Sequence, residues 1–382
     1  MMASVRIAAT GVLRGLGEVF WQIGTLPERS VQGLGELVAD VIAATTWRGR
    51  LLGLGMLVAL ATLPDWAGPR LTTVMIAALW LAYASQAWNL VSGFAGLLSL
   101  GHALFVGLGA YCGVILCFYA GINPWLGLCL VMPMVALAGT ALGALALRTG
   151  RPELSFALLT LAGAEACRLG TTTVLVLPSV YPSHFLPDLR GQPVLAYYLI
   201  LGLTLAALVL CRLLLRSGLG YRWLAVRENP AAAASLGVNL FRTRLSAMAV
   251  SAALTAPAGV FLALSSGILV PDQLFSATRS MEIVLGAVVG GLGTVFGPVL
   301  GALVLAPADE GLAWLGQRVG HPVPGLAPFC YGLLLVLLVL FRPGGVWPWL
   351  AHRLRLVPPA LAAEGIPTAT RPARPGRDRP PG

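Results

Sequence analysis

Lysine is absent from the chain, and all 25 of its Lys/Arg positions are arginine. A Walker-type phosphate loop needs a lysine on the β- and γ-phosphates, so this chain cannot itself be a P-loop ATPase. Charge of either sign is scarce: 10% of 382 residues, where a soluble domain carries roughly a quarter. Paired carboxylates and metal-type clusters are missing too. His102, His184, His321 and His352 are widely scattered, and no Ser/His/Asp constellation accompanies them, so neither a membrane-embedded enzyme nor a cofactor is called for. Cys112, Cys117, Cys129, Cys167, Cys211 and Cys330 follow no zinc or Cys-x-x-Cys spacing and read as small buried hydrophobes. Residues 1–47 contain no compact apolar core ahead of a small-residue cleavage site, so they do not read as a signal peptide. They read instead as one or two amphipathic segments on the cytoplasmic membrane surface, with Arg6, Arg14, Arg29, Arg48 and Arg50 toward lipid headgroups.

What is present is apolar. Hydrophobic residues reach 57% and mean hydropathy is +0.84, the composition of a polytopic membrane protein. The net charge of +10 lies between and after apolar segments rather than along one face with interleaved aromatics, so it reflects membrane topology and not nucleic acid. Segments approaching the ~20 residues that span a bilayer are Leu51–Leu63 with its flanks, Leu71–Val91, Ala95–Ala120, Trp125–Leu147, Leu154–Val176, Val194–Leu215, Leu245–Ser265, Met281–Leu305 and Leu326–Phe341. The fold class is therefore an all-α membrane helix bundle of about eight to ten segments over residues 48–345. Residues 346–382 form an Arg/Pro-rich tail expected to be disordered and cytoplasmic.

The longest polar interruption, residues 212–244, carries Arg212, Arg216, Arg222, Arg227, Arg242 and Arg244 against the single acid Glu228. That bias places it on the cytoplasmic side. Within it Asn229 is an N-cap, Pro230 suits the first helical position, and Gly237 suits the left-handed position after the helix. The Ala231–Leu236 helix between them spans about 10 Å, too short to be stable alone. A small capped helix on a loop suggests a plug for a socket on another protein.

Arg148 with Arg151, the central loop and the tail mark the same side of the membrane. Nine single crossings cannot satisfy all three, so one segment must enter and return. Met281–Leu305 is the candidate, because the run from Gly286 through Gly290, Gly291 and Gly293 to Gly297-Pro298 cannot stay helical. Taken as re-entrant from the far side, it leaves about eight crossings and both termini cytoplasmic. Two readings of its glycines stand: broken backbone beside a translocation path, or a small-residue packing face. A second Gly/Ser-rich stretch holds Asn89, Ser92, Ser99 and His102, which together with Glu282, Gly290, Gly291 and Gly293 are the candidate pathway-lining residues. Glu165 and Arg168, spaced i,i+3, are expected to neutralise each other.

Three blocks resemble the permease subunits of bacterial ABC importers for branched-chain amino acids. The first is Asn89–Tyr111, similar to Asn-Leu-x-x-Gly-x-x-Gly-x-x-Ser-Leu-Gly-His followed by Gly-x-Gly-Ala-Tyr. The second is Arg227-Glu228-Asn229 through Ala232-Ala233 to Leu236-Gly237-Val238-Asn239. The third is Ser280–Gly301, with Ser-x-Glu and Gly-Gly-Leu-Gly-x-x-x-Gly-Pro-x-x-Gly. The chain departs from the general importer coupling motif, whose Glu would fall at Ala231; Thr171–Pro193 is also poorly matched. The resemblance implies a non-enzymatic transport subunit in the bacterial inner membrane, paired with a sister permease, two ABC ATPase subunits and a periplasmic binding protein. It also implies that Arg227, Glu228, Asn229, Pro230, Ala232, Ala233 and Gly237 couple to the ATPase. Permeases for urea or short amides, and a secondary transporter, are the alternatives.

Overall fold

The computed structural model describes residues 47–149, 152–173, 189, 191–318, 326–341 and 344–354. The regular elements are helices: α1 (Trp47–Trp66), α2 (Pro69–Asn89), α3 (Ala103–Phe118), α4 (Pro124–Ala146), α5 (Pro152–Thr173), α6 (Pro193–Arg216), α7 (Gly218–Glu228), α8 (Pro230–Ser235), α9 (Leu240–Ser266), α10 (Pro271–Leu274), α11 (Ala277–Gly290), α12 (Gly297–Arg318), α13 (Leu326–Phe341) and α14 (Val346–Arg353). Several starts follow local chemistry. α2, α4 and α6 open on a proline, whose missing N–H is no loss there. Asn239 and Ser276 cap α9 and α11 by accepting from the amides of Arg242 and Arg279.

α2 and α9 form the centre. Some 89% and 83% of their apolar windows are buried, against 39% for α4 and α6, so the latter two are peripheral. The central pair is antiparallel, since Trp80 Nε1 donates to the Ala258 carbonyl (2.9 Å) and Ser251 Oγ to that of Ala87 (2.7 Å). One apolar cluster gathers Tyr83, Trp88, Tyr197 and Trp223 from α2, α6 and α7. The other gathers Phe105, Phe156, Met248 and Phe275 around α9.

Two traverses are interrupted. α2 ends in a π-helical turn, Leu90–Phe94, and no helix resumes until Ala103. There His102 Nε2 lies 2.7 Å from Thr255 Oγ1, part-way along α9. Thus the expected continuous segment Ala95–Ala120 is helical only in its second part. The other interruption follows α9, where the short α10 precedes α11. α11 begins beside the same level, with Ala103 N donating to Ser280 Oγ (3.1 Å), and runs alongside α2 toward the Arg212–Arg244 end.

The glycine cluster breaks the helix where its sequence predicts, α11 ending at Gly290 and α12 beginning at Gly297. The segment enters from the far side and folds back to it, as expected, but it reaches the loop end rather than stopping part-way. The turn lies at the loop end, beside Asn89 and Arg227, and α12 continues past Leu305 to Arg318, where Glu310 pairs with Arg70 at the start of α2 (3.1 Å). Met281–Leu305 thus joins two traverses. The reason is backbone contact: a Cβ at Gly290 would stand 1.7 Å from the Gly297 carbonyl oxygen, and one at Gly301 1.9 Å from that of Gly286, so α11 and α12 fold tightly against each other. Counting α1, α2, α3, α4, α5, α6, α9, the α10–α11 pair, α12 and α13 gives ten passes along the bundle among the described residues, of which α2 with its π-turn, α4, α6 and α9 are by themselves long and apolar enough to cross a membrane. Both ends of the described chain then lie at the loop end.

The N-terminal segment 1–46 and most of the tail lie outside the described residues. Val346–Arg353, placed by composition at the head of a structureless tail, forms α14. Its approach is fixed by Gly345, whose positive φ of 80° lets its backbone rest on Gly291. Arg168 meets Glu165 as expected, and also Asp272 from α10.

Candidate functional site

The arginine-rich loop is mostly helix. α7 is anchored by Trp223, fully buried, whose Nε1 donates to Ser246 Oγ (3.0 Å). Glu228 ends it, and Asn229 turns the chain in an extended conformation. Asn229 Oδ1 then accepts from Ala232 N (3.0 Å), with Pro230 in the first turn of α8. At the other end the amide of Val238 donates to the Ala233 carbonyl (3.0 Å) across Gly237 at φ 85°, a left-handed termination that glycine adopts without strain. The helix covers 230–235 rather than 231–236.

Its residues divide by direction. Glu228, Asn229, Ala232 and Gly237 are exposed and Pro230 is half-buried. Ala233 faces inward, 3% exposed, and Leu236 faces outward, 84% exposed. Tyr221 on α7 is also exposed. Sequence reasoning missed Leu236 and Tyr221; a bulky apolar residue directly before the capping glycine of a polar loop was the available signal.

The candidates of the broken traverses are held by bonds within the chain. Asn89, fully buried, accepts from Gly293 N (2.9 Å) and donates to the Thr294 carbonyl (2.9 Å). Ser92 Oγ donates to the Leu97 carbonyl and accepts from Ser99 N. Trp88 Nε1 donates to the Ser99 carbonyl, and His102 lies between Ser99 Oγ (3.5 Å) and Thr255 Oγ1. These bonds replace those that a regular helix would have made, a requirement wherever water is excluded. Glu282 pairs with Arg279 (2.7 Å), whose guanidinium lies 5.1 Å over the Trp80 ring. Gly290 packs on Gly297, Gly291 on α14, and Gly293, at φ 71°, receives Asn89.

One junction joins the two groups. Arg227, in the last turn of α7, lays its side chain over Gly96 and donates from Nη1 to the Gly93 carbonyl (2.6 Å); a Cβ on Gly293 would meet the same nitrogen at 2.4 Å. The loop helices, the π-turn and the α11–α12 turn therefore touch at one place. Among the described residues no three His, Cys, Asp or Glu side chains converge as metal ligands would. The arrangement suits mechanical transmission.

Residues 70–341 match the family described as "Branched-chain amino acid transport system / permease component". The chain belongs to this family. The matched span holds both broken traverses, α7 and α8. Over 316 residues the permease is 29% identical to the high-affinity branched-chain amino acid transport system permease protein LivM of Escherichia coli (strain K12), covering 74% of this chain and 72% of that protein. It is 31% identical over 176 residues to the corresponding BraD of Pseudomonas aeruginosa, covering 44% of this chain and 54% of that one. Over 154 residues it is 34% identical to the xylose transport system permease protein XylH of Haemophilus influenzae, 37% of each. No solved structure matches significantly. The permease is a multi-pass membrane protein whose relatives are transport subunits.

Proposed function

We propose that this permease is the membrane-spanning subunit of an ATP-driven ABC importer for branched-chain amino acids, with α8 docking into a separate ATPase subunit on the cytoplasmic face of the bacterial inner membrane. The observation that carries the proposal is Leu236, 84% exposed at the end of a helix capped at both ends. Burying a leucine is worth about 1.5–3 kcal/mol, so an uncovered one on a rigid tip favours a partner that covers it. A sister permease, two ATPases and a periplasmic binding protein complete the proposed assembly. A secondary transporter is less well supported, because both Glu165 and Glu282 are paired with arginine and neither is a lone coupling carboxylate. The xylose relative matches a much smaller share of the chain than LivM, which favours amino acid over sugar as cargo.

Leu236→Asp tests the docking. The variant should insert normally yet lose about tenfold or more in ATPase affinity, since 1.4 kcal/mol is tenfold. Retention of the ATPase subunits and of uptake at wild-type rate would refute the proposal, as would labelling that places residue 236 outside the cell. Substitution at Ala233 is not a clean test, because that side chain packs inside the chain. Ligand binding measured on the secreted partner protein would identify the cargo.

A further inference from the structure

We infer that Arg227 is a positioning residue that locks α8 to both broken traverses, so that the docking helix, the π-turn and the α11–α12 turn move as one body. This rests on the docking reading above and adds to it: sequence resemblance groups Arg227 with the ATPase contacts, and in the structure the same residue, though exposed, also bonds to the π-turn through the Gly93 carbonyl.

The geometry is specific. The π-turn leaves the Gly93 carbonyl without a helical partner, and Arg227 Nη1 donates to it at 2.6 Å. Gly96 has φ 72°, and a Cβ there would lie 3.2 Å from Arg227 Cγ, so the arginine stem rests on bare backbone. Asn89 Oδ1 accepts from Gly293 N, and a Cβ on Gly93 would stand 1.9 Å from that same oxygen and 2.8 Å from Gly293 N. No side chain could intervene without separating the three segments. Two residues beyond Arg227, Asn229 starts α8, so displacement of α8 has almost no slack before it reaches Gly93. A charge-assisted bond to a carbonyl is stronger than a neutral one, and Arg227 makes such a bond from the α7 end to the π-turn.

The test uses the whole importer in liposomes: permease, sister permease, ATPase subunits and substrate-loaded binding protein. Arg227→Ala should lose substrate-stimulated hydrolysis and uptake by about tenfold or more, the effect of one charge-assisted hydrogen bond. Arg227→Lys keeps a donor for Gly93 and should restore stimulation to within about threefold of wild type. Wild-type uptake by Arg227→Ala, failure of lysine to rescue, or shedding of the ATPase would each overturn the inference. A second measurement leaves Arg227 intact, with spin labels at the exposed Ser235 and Leu292. Their separation should be the same in nucleotide-free and ATP-trapped states, and a change approaching a helical turn, about 5.4 Å, would overturn it. Failure of the docking reading is distinguishable, since it appears as ATPase retention by Leu236→Asp whatever Arg227→Ala does.

Discussion

Replacing Gly290 by alanine should open the α11–α12 hairpin. The new Cβ would stand 1.7 Å from the Gly297 carbonyl oxygen and 2.9 Å from Gly301 N. Ordinary contact begins near 3.4 Å, so the backbones must part by 3.4 − 1.7 = 1.7 Å. No flexible side chain can swing aside, because both neighbours are main chain. α11 cannot simply retreat either, since the Ile283 carbonyl accepts from Ser85 Oγ (2.8 Å) and the turn is bonded twice to Asn89. Overpacking of this kind costs about 1–3 kcal/mol, and loosening two hydrogen bonds adds about 1 kcal/mol each. The total of about 3–5 kcal/mol is a large part of a typical protein's stability. The assay is thermal denaturation of the purified chain in detergent at one scan rate, with an expected fall of roughly 5–10 °C. Gly202→Ala on α6 is the control: nothing lies within 4 Å of its added Cβ, and alanine favours the helix by up to about 1 kcal/mol. If Gly290→Ala melts at the same temperature as Gly202→Ala, close backbone packing does not shape the hairpin.

Two smaller effects follow from the same bookkeeping. Asn229→Ala removes the bond to Ala232 N; a lost N-cap costs about 1 kcal/mol, so amides 232–235 should exchange roughly fivefold faster while Asn229→Asp stays near wild type, and equal exchange in all three would disprove the cap. Arg168→Gln breaks the pairs with Glu165 and Asp272, whose side chains are 52% and 64% exposed. Solvent-screened pairs add little to stability, so its melting midpoint should fall by no more than about 2–4 °C; a larger loss would make the trio a structural anchor.

The punctuation of α8 was legible because caps are local: Asn229, Pro230 and Gly237 act on neighbours within four residues. The break between Gly290 and Gly297 was legible for the same reason. Its fold-back followed from the parity of the charge marks, but its depth did not, because the hairpin is carried to the loop end by the bonds of Asn89 to the turn and by Gly286 meeting Gly301, contacts that hydropathy does not register. α8 defeated pattern reading differently. Four successive alanines have no apolar periodicity, so nothing in the sequence distinguishes the inward Ala233 from its exposed neighbours. Arg227 was counted by its charge, which assigns a side of the membrane; the carbonyl it bonds is exposed by a π-turn that composition does not reveal.

Asn89 also constrains the order in which the permease can be made. Its partner Gly293 lies 204 residues further along the chain, and at about 5–20 residues per second of synthesis roughly 10–40 s separate the appearance of the two. Throughout that interval a carboxamide destined for a dry interior has no permanent partner. Nascent α2 must therefore stay near water or the insertion machinery until the last third of the polypeptide arrives, and closure of the centre is a late event in biogenesis.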